Sequence, residues 1–308
     1  MKDMMLKQFI NILGEENALS MESMAKHTTF RVGGPADYYL IPHGVQQIKE
    51  VIALCKANEI PFFILGNGSN LLVGDGGYRG AVIQIFRNMS SVSVEGEDVL
   101  RAEAGALLSS VARTALNNSL TNMEFASGIP GTIGGAVTMN AGAYGGEMKD
   151  ILQEVTVLTE DGEVLVLKTE ELALGYRTSC IKEKNYIVLE AVLKLEKGDQ
   201  EKIQARMDEL KEQRVTKQPL EFPSAGSTFK RPEGYFAGKL IQDAGLAGHK
   251  IGGAEVSAKH CGFIVNSGVG TAQDIMDLIR YVQKTVWEDA KVKLETEVKM
   301  LGEFCKEE

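Results

Sequence analysis

The sequence predicts a two-domain chain of the α+β class, its larger first part built from small α/β lobes. Three observations predict it. The chain has 308 residues, more than one hydrophobic core usually organises. Short apolar runs alternate with helical patterns as far as residue 198, and a long charged helix then leads into a second mixed set of elements. Hydrophobic residues make up 44% and charged residues 24% of the chain, the composition of an ordinary folded protein, which excludes disorder and fibre formation.

Taken in order, residues 1–31 read as an N-terminal helical segment, in which Asp3 and Lys7 interrupt any apolar signal core. GVQQIKEVIALCKAN at 44–58 places Val45, Ile48, Val51, Ile52 and Cys55 on one helical face, and PFFILG follows as a short buried strand ending at a glycine. The GNGSN turn at 66–70 leads through LLVGDGGYRG into AVIQIF, and SVSVEGEDVLRAEAG reads as strand, turn and strand. SSVARTALNN is a second amphipathic helix. A glycine-rich run follows, and QEVTVLTEDGEVLVLKTEEL is then a hairpin turning at Asp161–Gly162. NYIVLEAVLKLEKGD is another strand, and QEKIQARMDELKEQRVTKQPL is a charged helix stopped by Pro219. This helix marks a domain boundary near residue 198. Beyond it the sequence predicts an HCGFIVN strand, a helix from Thr271 to about Ala290, and a final strand VKLETEVKML.

A net charge of −9 argues against a nucleic-acid partner, because phosphate-backbone binding is driven by a basic face. Residues 211–260 nevertheless carry eight Lys or Arg against five Asp or Glu, a local +3 suited to a small anion. Cys55, Cys180, Cys261 and Cys305 are scattered without a CxxC pair, which points to a reduced, cytoplasmic chain. His27, His43, His249 and His260 lack metal-ligand spacing, and no apolar run reaches the roughly 18 residues of a membrane span. Neither a metal nor a membrane is expected.

The familiar nucleotide fingerprints fail: GNGSNL has Leu71 in place of a third glycine, and GYFAGKL has one spacer too few for a P-loop. Two glycine-rich segments remain, 66–70 and 128–142, which read as turns offering backbone N–H groups to a pyrophosphate. For GNGSN alone a plain tight turn is the better account. For the longer run, Gly134, Gly135, Gly142, Gly145 and Gly146 around Asn140 exceed what one turn needs, so a backbone-to-ligand contact outweighs a glycine hinge. In SAGSTFK, Ser227 has no GxSxG elbow around it, which argues against acyl transfer; a lone serine is ordinarily a cap or a surface residue, and one held near cations can instead serve as a general acid. Arg177 in GYRTSC and Glu297 in LETEVK carry no signal of their own.

Together, TTFRVGGPA, LGNGSNLLV, SGIPGTIGGAVTMNAGAYG, YRTS, SAGSTFK, AGKLI, IGGAEVS and LETEVKMLG resemble, in order and nearly end to end, the UDP-N-acetylenolpyruvoylglucosamine reductase family. The resemblance implies an FAD-binding domain of the vanillyl-alcohol oxidase / para-cresol methylhydroxylase type at 32–197 and a C-terminal α+β substrate domain at 198–308. It implies noncovalent FAD, since 62–80 and 126–146 contain no His or Cys, with NADPH as cosubstrate and a UDP-sugar as substrate in peptidoglycan precursor synthesis. By motif matching, Gly66, Asn67, Gly68, Ser69 and Asn70 line the FAD pyrophosphate, joined by Gly128, Pro130, Gly131, Gly134, Gly135, Ala136, Asn140, Ala141 and Gly142. Ser227 delivers a proton to C2 of the enolpyruvyl group, while Arg177 and Glu297 stabilise the enol and its carboxylate. Arg214, Lys217 and Lys230 are the candidates for the substrate's anionic groups. Arg231 and Lys250 stand where some members have Asn and Gln. VLKLEKGD runs straight into the charged helix, which leaves no room for the substrate-covering tyrosine loop of one class and implies the class without it; Tyr235 and Phe236 are candidates for the cover instead. A flavin-dependent alcohol oxidase of the same fold and a non-catalytic nucleotide-sugar binder are the rival readings, and the intact Ser227, Arg177 and Glu297 motifs weigh against both.

Overall fold

The computed structural model describes residues 2–304, so Cys305 lies outside the described residues. Its contacts divide the chain into two compact units, 1–19 with 39–67 and 82–213, and 20–38 with 68–81 and 214–308. These units part after residue 213 rather than near 198, because Ile203 and Leu210, buried on the charged helix Gln200–Lys217, belong to the first unit. The second unit also takes in 20–38 and 68–81, which lie far from it in sequence.

In the first unit the helix Lys2–Leu13 buries Met5, Phe9 and Leu13, one side of a helix at a spacing of four. It packs against Val45–Ala57, whose buried face is Ile48, Val51, Ile52 and Cys55. The helical expectation for 1–31 is corrected beyond residue 13. Gly14, at φ +87°, ends the helix, and Ala18–Ser23 is a strand. The centre of the unit is an antiparallel sheet in the order Val164–Lys168, Leu152–Leu158, Ile187–Lys194, Val99–Glu103, Val92–Glu95. The predicted hairpin supplies its first two strands. Ile187–Lys194 is central, and reads as a nearly continuous apolar run for that reason.

Two helices cover this sheet. Leu108–Asn117 turns Leu108, Val111, Ala112, Ala115 and Leu116 inward. The second, Ile133–Met139, lies inside the glycine-rich run, where the sequence predicts a turn. Two adjacent glycines cost about 1 kcal/mol each in a helix interior. Burial of Ile133, Ala136 and Val137 against Ile187–Lys194 offsets that cost.

In the second unit, Lys250–Ile251, Ala254–Val256 and Ile264–Asn266 form a three-stranded antiparallel sheet. The helix Ala272–Ala290 packs on it through Ile275, Leu278, Ile279, Val282 and Val286. Burying each such side chain contributes roughly 1.5–3 kcal/mol. Thr271 and Asp274 cap this helix reciprocally, each side chain accepting the other's backbone N–H at 3.0 Å. The Asp75 carboxylate accepts from Ala272 N and Gln273 N at 3.0 and 2.8 Å. Burial pushes the Asp274 carboxyl up, but hydrogen bonds from Thr271 and Gly253 outweigh it and hold the group below its ordinary value.

The final strand is shorter than predicted. Lys299–Leu301 pairs in parallel with Leu71–Val73, whereas the residues before it turn to the SAGSTFK segment. A four-stranded sheet has the order Ala18–Ser23, Pro35–Leu40, Tyr78–Gln84, Phe62–Leu65.

Candidate functional site

The strand Phe62–Leu65 delivers the chain to Gly66, where an added Cβ would lie 2.5 Å from Thr132 Oγ1, so the first glycine-rich segment packs directly on the Thr132 side chain of the second. Asn67 Nδ2 donates to Pro130 O at 2.7 Å and fixes that approach. Gly68 has φ +65°, a conformation that favours glycine, and a Cβ there would stand 2.0 Å from His27 O. Thr29 N donates to Gly68 O at 3.2 Å. Ser69 is half-buried, and Asn70 Nδ2 donates to Glu297 O at 3.1 Å.

The longer segment separates glycines needed by the protein from one that is not. Gly134 lies against Ala104, its N–H donating to Ala104 O at 2.8 Å, and a Cβ would crowd Ala104 Cβ at 3.1 Å. Gly142 similarly faces Glu147 and Gly146. Gly135 differs. It is exposed, its N–H is 3.5 Å from Thr132 Oγ1, and a Cβ would meet nothing closer than that same oxygen at 3.7 Å. A helical glycine with free space over its Cα leaves a shallow place where a ligand can lie against the backbone. Gly128 and Pro130 are exposed and Gly131 is half-buried, with Gly131 O accepting from Leu108 N at 3.0 Å. These residues therefore fit an FAD that lies against main chain. Ala136 is buried beneath them and its carbonyl accepts from Ala141 N at 2.8 Å.

Asn140 ends the short helix in the left-handed region, φ 44°, and is 1% exposed. Its amide is engaged on all sides. Nδ2 donates to Glu147 Oε2 at 2.7 Å and Gly175 O at 3.2 Å, and Oδ1 accepts from Lys149 N at 2.9 Å. Gly175 in turn pairs with Thr178, closing a tight turn whose third residue is Arg177 at φ +56°. A non-glycine residue held there costs on the order of 1–3 kcal/mol. The guanidinium lies 5.2 Å from the Tyr176 ring centroid. Sequence reasoning missed this clamp, although an asparagine closing an apolar helical pattern is a cap signal.

In the second unit SAGSTFK pairs antiparallel with residues 295–298. Phe229 bridges Thr296, Lys230 N donates to Glu295 O at 2.8 Å, and Glu297 N donates to Thr228 O at 2.8 Å. Thr228 thus sits opposite Glu297, and Ser227 precedes it by one position. Thr228 is fully buried and its Oγ1 accepts from Ile264 N at 3.0 Å, which anchors this ladder to the three-stranded sheet. The structure therefore brings Ser227 and Glu297 onto one short ladder, while Arg177 belongs to the first unit. Lys230 Nζ pairs with Glu295 at 3.1 Å, and this hydrogen bond lowers the Glu295 carboxyl. Arg214 is half-buried and Lys217 exposed, both on the last turn of Gln200–Lys217. The Arg231 guanidinium stands 4.0 Å from the Phe236 ring centroid, its Nε donating to Tyr235 O.

Among the described residues no cluster of His, Cys, Asp or Glu could hold a metal, and no helix is long and apolar enough to cross a membrane. Cys55, Cys180 and Cys261 are buried free thiols, with burial pushing Cys55 up to about 12, so none is a reactive thiolate.

Two family models match the chain: an FAD binding domain over residues 36–168, and the C-terminal domain of UDP-N-acetylenolpyruvoylglucosamine reductase over residues 218–301. The UDP-N-acetylenolpyruvoylglucosamine reductase of Clostridium novyi is 53% identical over 297 residues, 96% of each chain. That of Agathobacter rectalis is 52% identical, spanning 99% of this chain and all of its own. The crystal structure of the Thermus caldophilus reductase superposes with a TM-score of 0.80 at 37% identity, covering 92% of this chain and 98% of that one.

Proposed function

The chain belongs to the UDP-N-acetylenolpyruvoylglucosamine reductase family, and on that premise we propose that it reduces UDP-N-acetyl-enolpyruvoylglucosamine to UDP-N-acetylmuramate with NADPH and bound FAD. FAD supplies hydride transfer, from NADPH to C3 of the enolpyruvyl double bond. The chain's own residues do the rest. Ser227 holds the proton that goes to C2, and Glu297 and Arg177 stabilise the negative charge that develops on the enol and carboxylate, a preorganised effect that is usually the largest catalytic contribution. The main chain of Gly66–Ser69 and of residues 128–142 would hold the FAD pyrophosphate, with the free space over Gly135 leaving room for it. Arg214, Lys217 and Lys230 meet the substrate diphosphate and carboxylate; Lys230 exchanges Glu295 for substrate to do so. The part of the chain that matches the FAD-binding model, 36–168, would serve the cofactor, and the part that matches the reductase C-terminal model, 218–301, the substrate. The product enters peptidoglycan precursor synthesis in the cytoplasm, and through it cell-wall biogenesis, cell shape and division.

The observation that supports the catalytic assignment is the antiparallel pairing of SAGSTFK with residues 295–298, which ties the main chain next to Ser227 to that of Glu297 through the bond from Glu297 N to Thr228 O. Only Gly198 and Asp199 separate Glu196–Lys197 from the helix Gln200–Lys217, which supports the class without the tyrosine loop. One spectroscopic experiment tests the function. The purified protein should carry flavin absorbance that NADPH bleaches under anaerobic conditions and that the enolpyruvyl substrate restores. A protein that ignores FAD, or a reduced flavin indifferent to that substrate, overturns the proposal; reduction by an alcohol would favour an oxidase.

A further inference from the structure

We propose that Asn70 and Asn140 are positioning residues. Asn70 closes the 66–70 segment and Asn140 the short helix inside 128–142, and each holds, through its side-chain amide, the main chain that carries a catalytic residue or the turn on which one stands. The inference rests on the roles of Arg177 and Glu297 proposed above, and it reassigns two residues that motif matching gives to the cofactor.

The two cases share one geometry. Asn70 Nδ2 donates to the carbonyl of Glu297 itself at 3.1 Å, and Asn70 O accepts from Lys299 N at 3.0 Å, so both polar ends of Asn70 grip residues 297–299. Glu297 N is tied to Thr228 O, so the main chain of Glu297 is held at its donor and at its acceptor. Asn140 Nδ2 donates to the carbonyl of Gly175, two residues before Arg177. Its left-handed backbone, near-complete burial and further bonds to Glu147 and Lys149 fix where that donor points. A buried amide so engaged has no capacity left for a phosphate. It has a second use: the Arg177 turn is strained, and a hydrogen bond to the carbonyl that opens it holds a conformation the residue would otherwise leave.

Each asparagine thus joins a segment that is expected to hold the cofactor to a segment that is expected to act on the substrate. Removing the amide should leave cofactor binding in place and misplace a catalytic side chain. A displacement of about 1 Å costs on the order of 10²-fold in rate.

The test uses Asn140→Gly, which keeps the left-handed backbone and deletes the amide, together with Asn70→Ala as an independent second variant. Flavin-fluorescence titration of the apoproteins should give FAD affinities within about threefold of the parent, and reduction of the holoenzymes by NADPH should change as little. Reoxidation by the enolpyruvyl substrate should slow on the order of 10²-fold in each. Adding Asn140→Gly to Arg177→Lys, or Asn70→Ala to Glu297→Gln, should slow that half-reaction little further, because each pair acts as a unit. Weakened FAD binding, an unchanged substrate half-reaction, or additive losses would overturn the positioning role. The parent enzyme reads the functional assignment separately: a parent that is reduced but not reoxidised by substrate removes that assignment, whatever the variants do.

Discussion

The two units hold Glu297 and Arg177 on different kinds of backbone. In the second, Ser227 and Glu297 lie on or beside a ladder of main-chain hydrogen bonds, locked from below by the buried Thr228 hydroxyl. In the first, Arg177 stands on a left-handed turn held by the carbonyl of Gly175, to which a single side-chain amide donates. Main-chain pairing is insensitive to which side chains neighbour it, so the second unit fixes Glu297 at its N–H through the backbone and calls on a side chain, the Asn70 amide, only at its carbonyl. A strained turn needs a dedicated residue, and Asn140 is that residue. A proton donor benefits from a rigid seat, whereas a long arginine reaches its target with a guanidinium whose stem adjusts.

Breaking the ladder's chemistry should give the largest effect. Ser227→Ala should slow the substrate half-reaction by about 10²–10⁴-fold, the range for losing a general acid, while flavin reduction by NADPH stays near the parent rate; equal loss in both half-reactions would contradict the role. Removing the ladder's anchor comes next. Thr228→Val strands the Ile264 N–H in the core and should cost about 1–3 kcal/mol of stability, read as a lower chemical-denaturation midpoint with an unchanged slope. An unchanged midpoint would mean the hydroxyl is not an anchor.

The turn should respond with the opposite sign. Arg177→Gly relieves the left-handed strain and should raise stability by up to about 1 kcal/mol while turnover is lost; a fall in thermal midpoint would show that the turn is not strained. Gly135→Ala should likewise stabilise the apoprotein by up to about 1 kcal/mol, since Ala is the better helix former and meets no protein atom closer than 3.7 Å. Its cost should appear as weaker FAD binding, and undiminished affinity would remove Gly135 from the cofactor contact. Gly134→Ala, crowded by Ala104, should destabilise instead.

The smallest effect concerns pH. Burial lowers the pKa of His260, whose Nδ1 accepts from Gly262 N at 3.1 Å. The unfolded chain therefore takes up the proton first. Stability should be complete above the ordinary histidine value of about 6.5 and fall as pH drops below it. His260→Asn should flatten this slope in denaturation profiles; an unaltered slope would assign it to other groups.

Much of the fold was legible because it follows local patterning. The Val45–Ala57, Leu108–Asn117 and Ala272–Ala290 helices and the hairpin at 152–168 come from apolar spacing and turn residues that require no partner to interpret. The helix at Ile133–Met139 was not legible, since its two glycines argue against a helix and the sheet that outweighs them is remote in sequence. Nor was the short final strand, whose pairing is divided between 71–73 and 228–230.

The sequence by itself determined the two-part α+β organisation and, through its motifs, the family to which the chain belongs and the residues Ser227, Arg177 and Glu297 proposed for its chemistry. Only tertiary structure decided that Thr228 lies opposite Glu297, that Gly134 serves packing while Gly135 leaves space, and that Asn70 and Asn140 spend their amides on the carbonyls of Glu297 and Gly175. The reason is physical. Periodicity and turn propensity act within a few residues, whereas a hydrogen bond spanning 227 positions from Asn70 to Glu297 exists only after both segments have been folded into place.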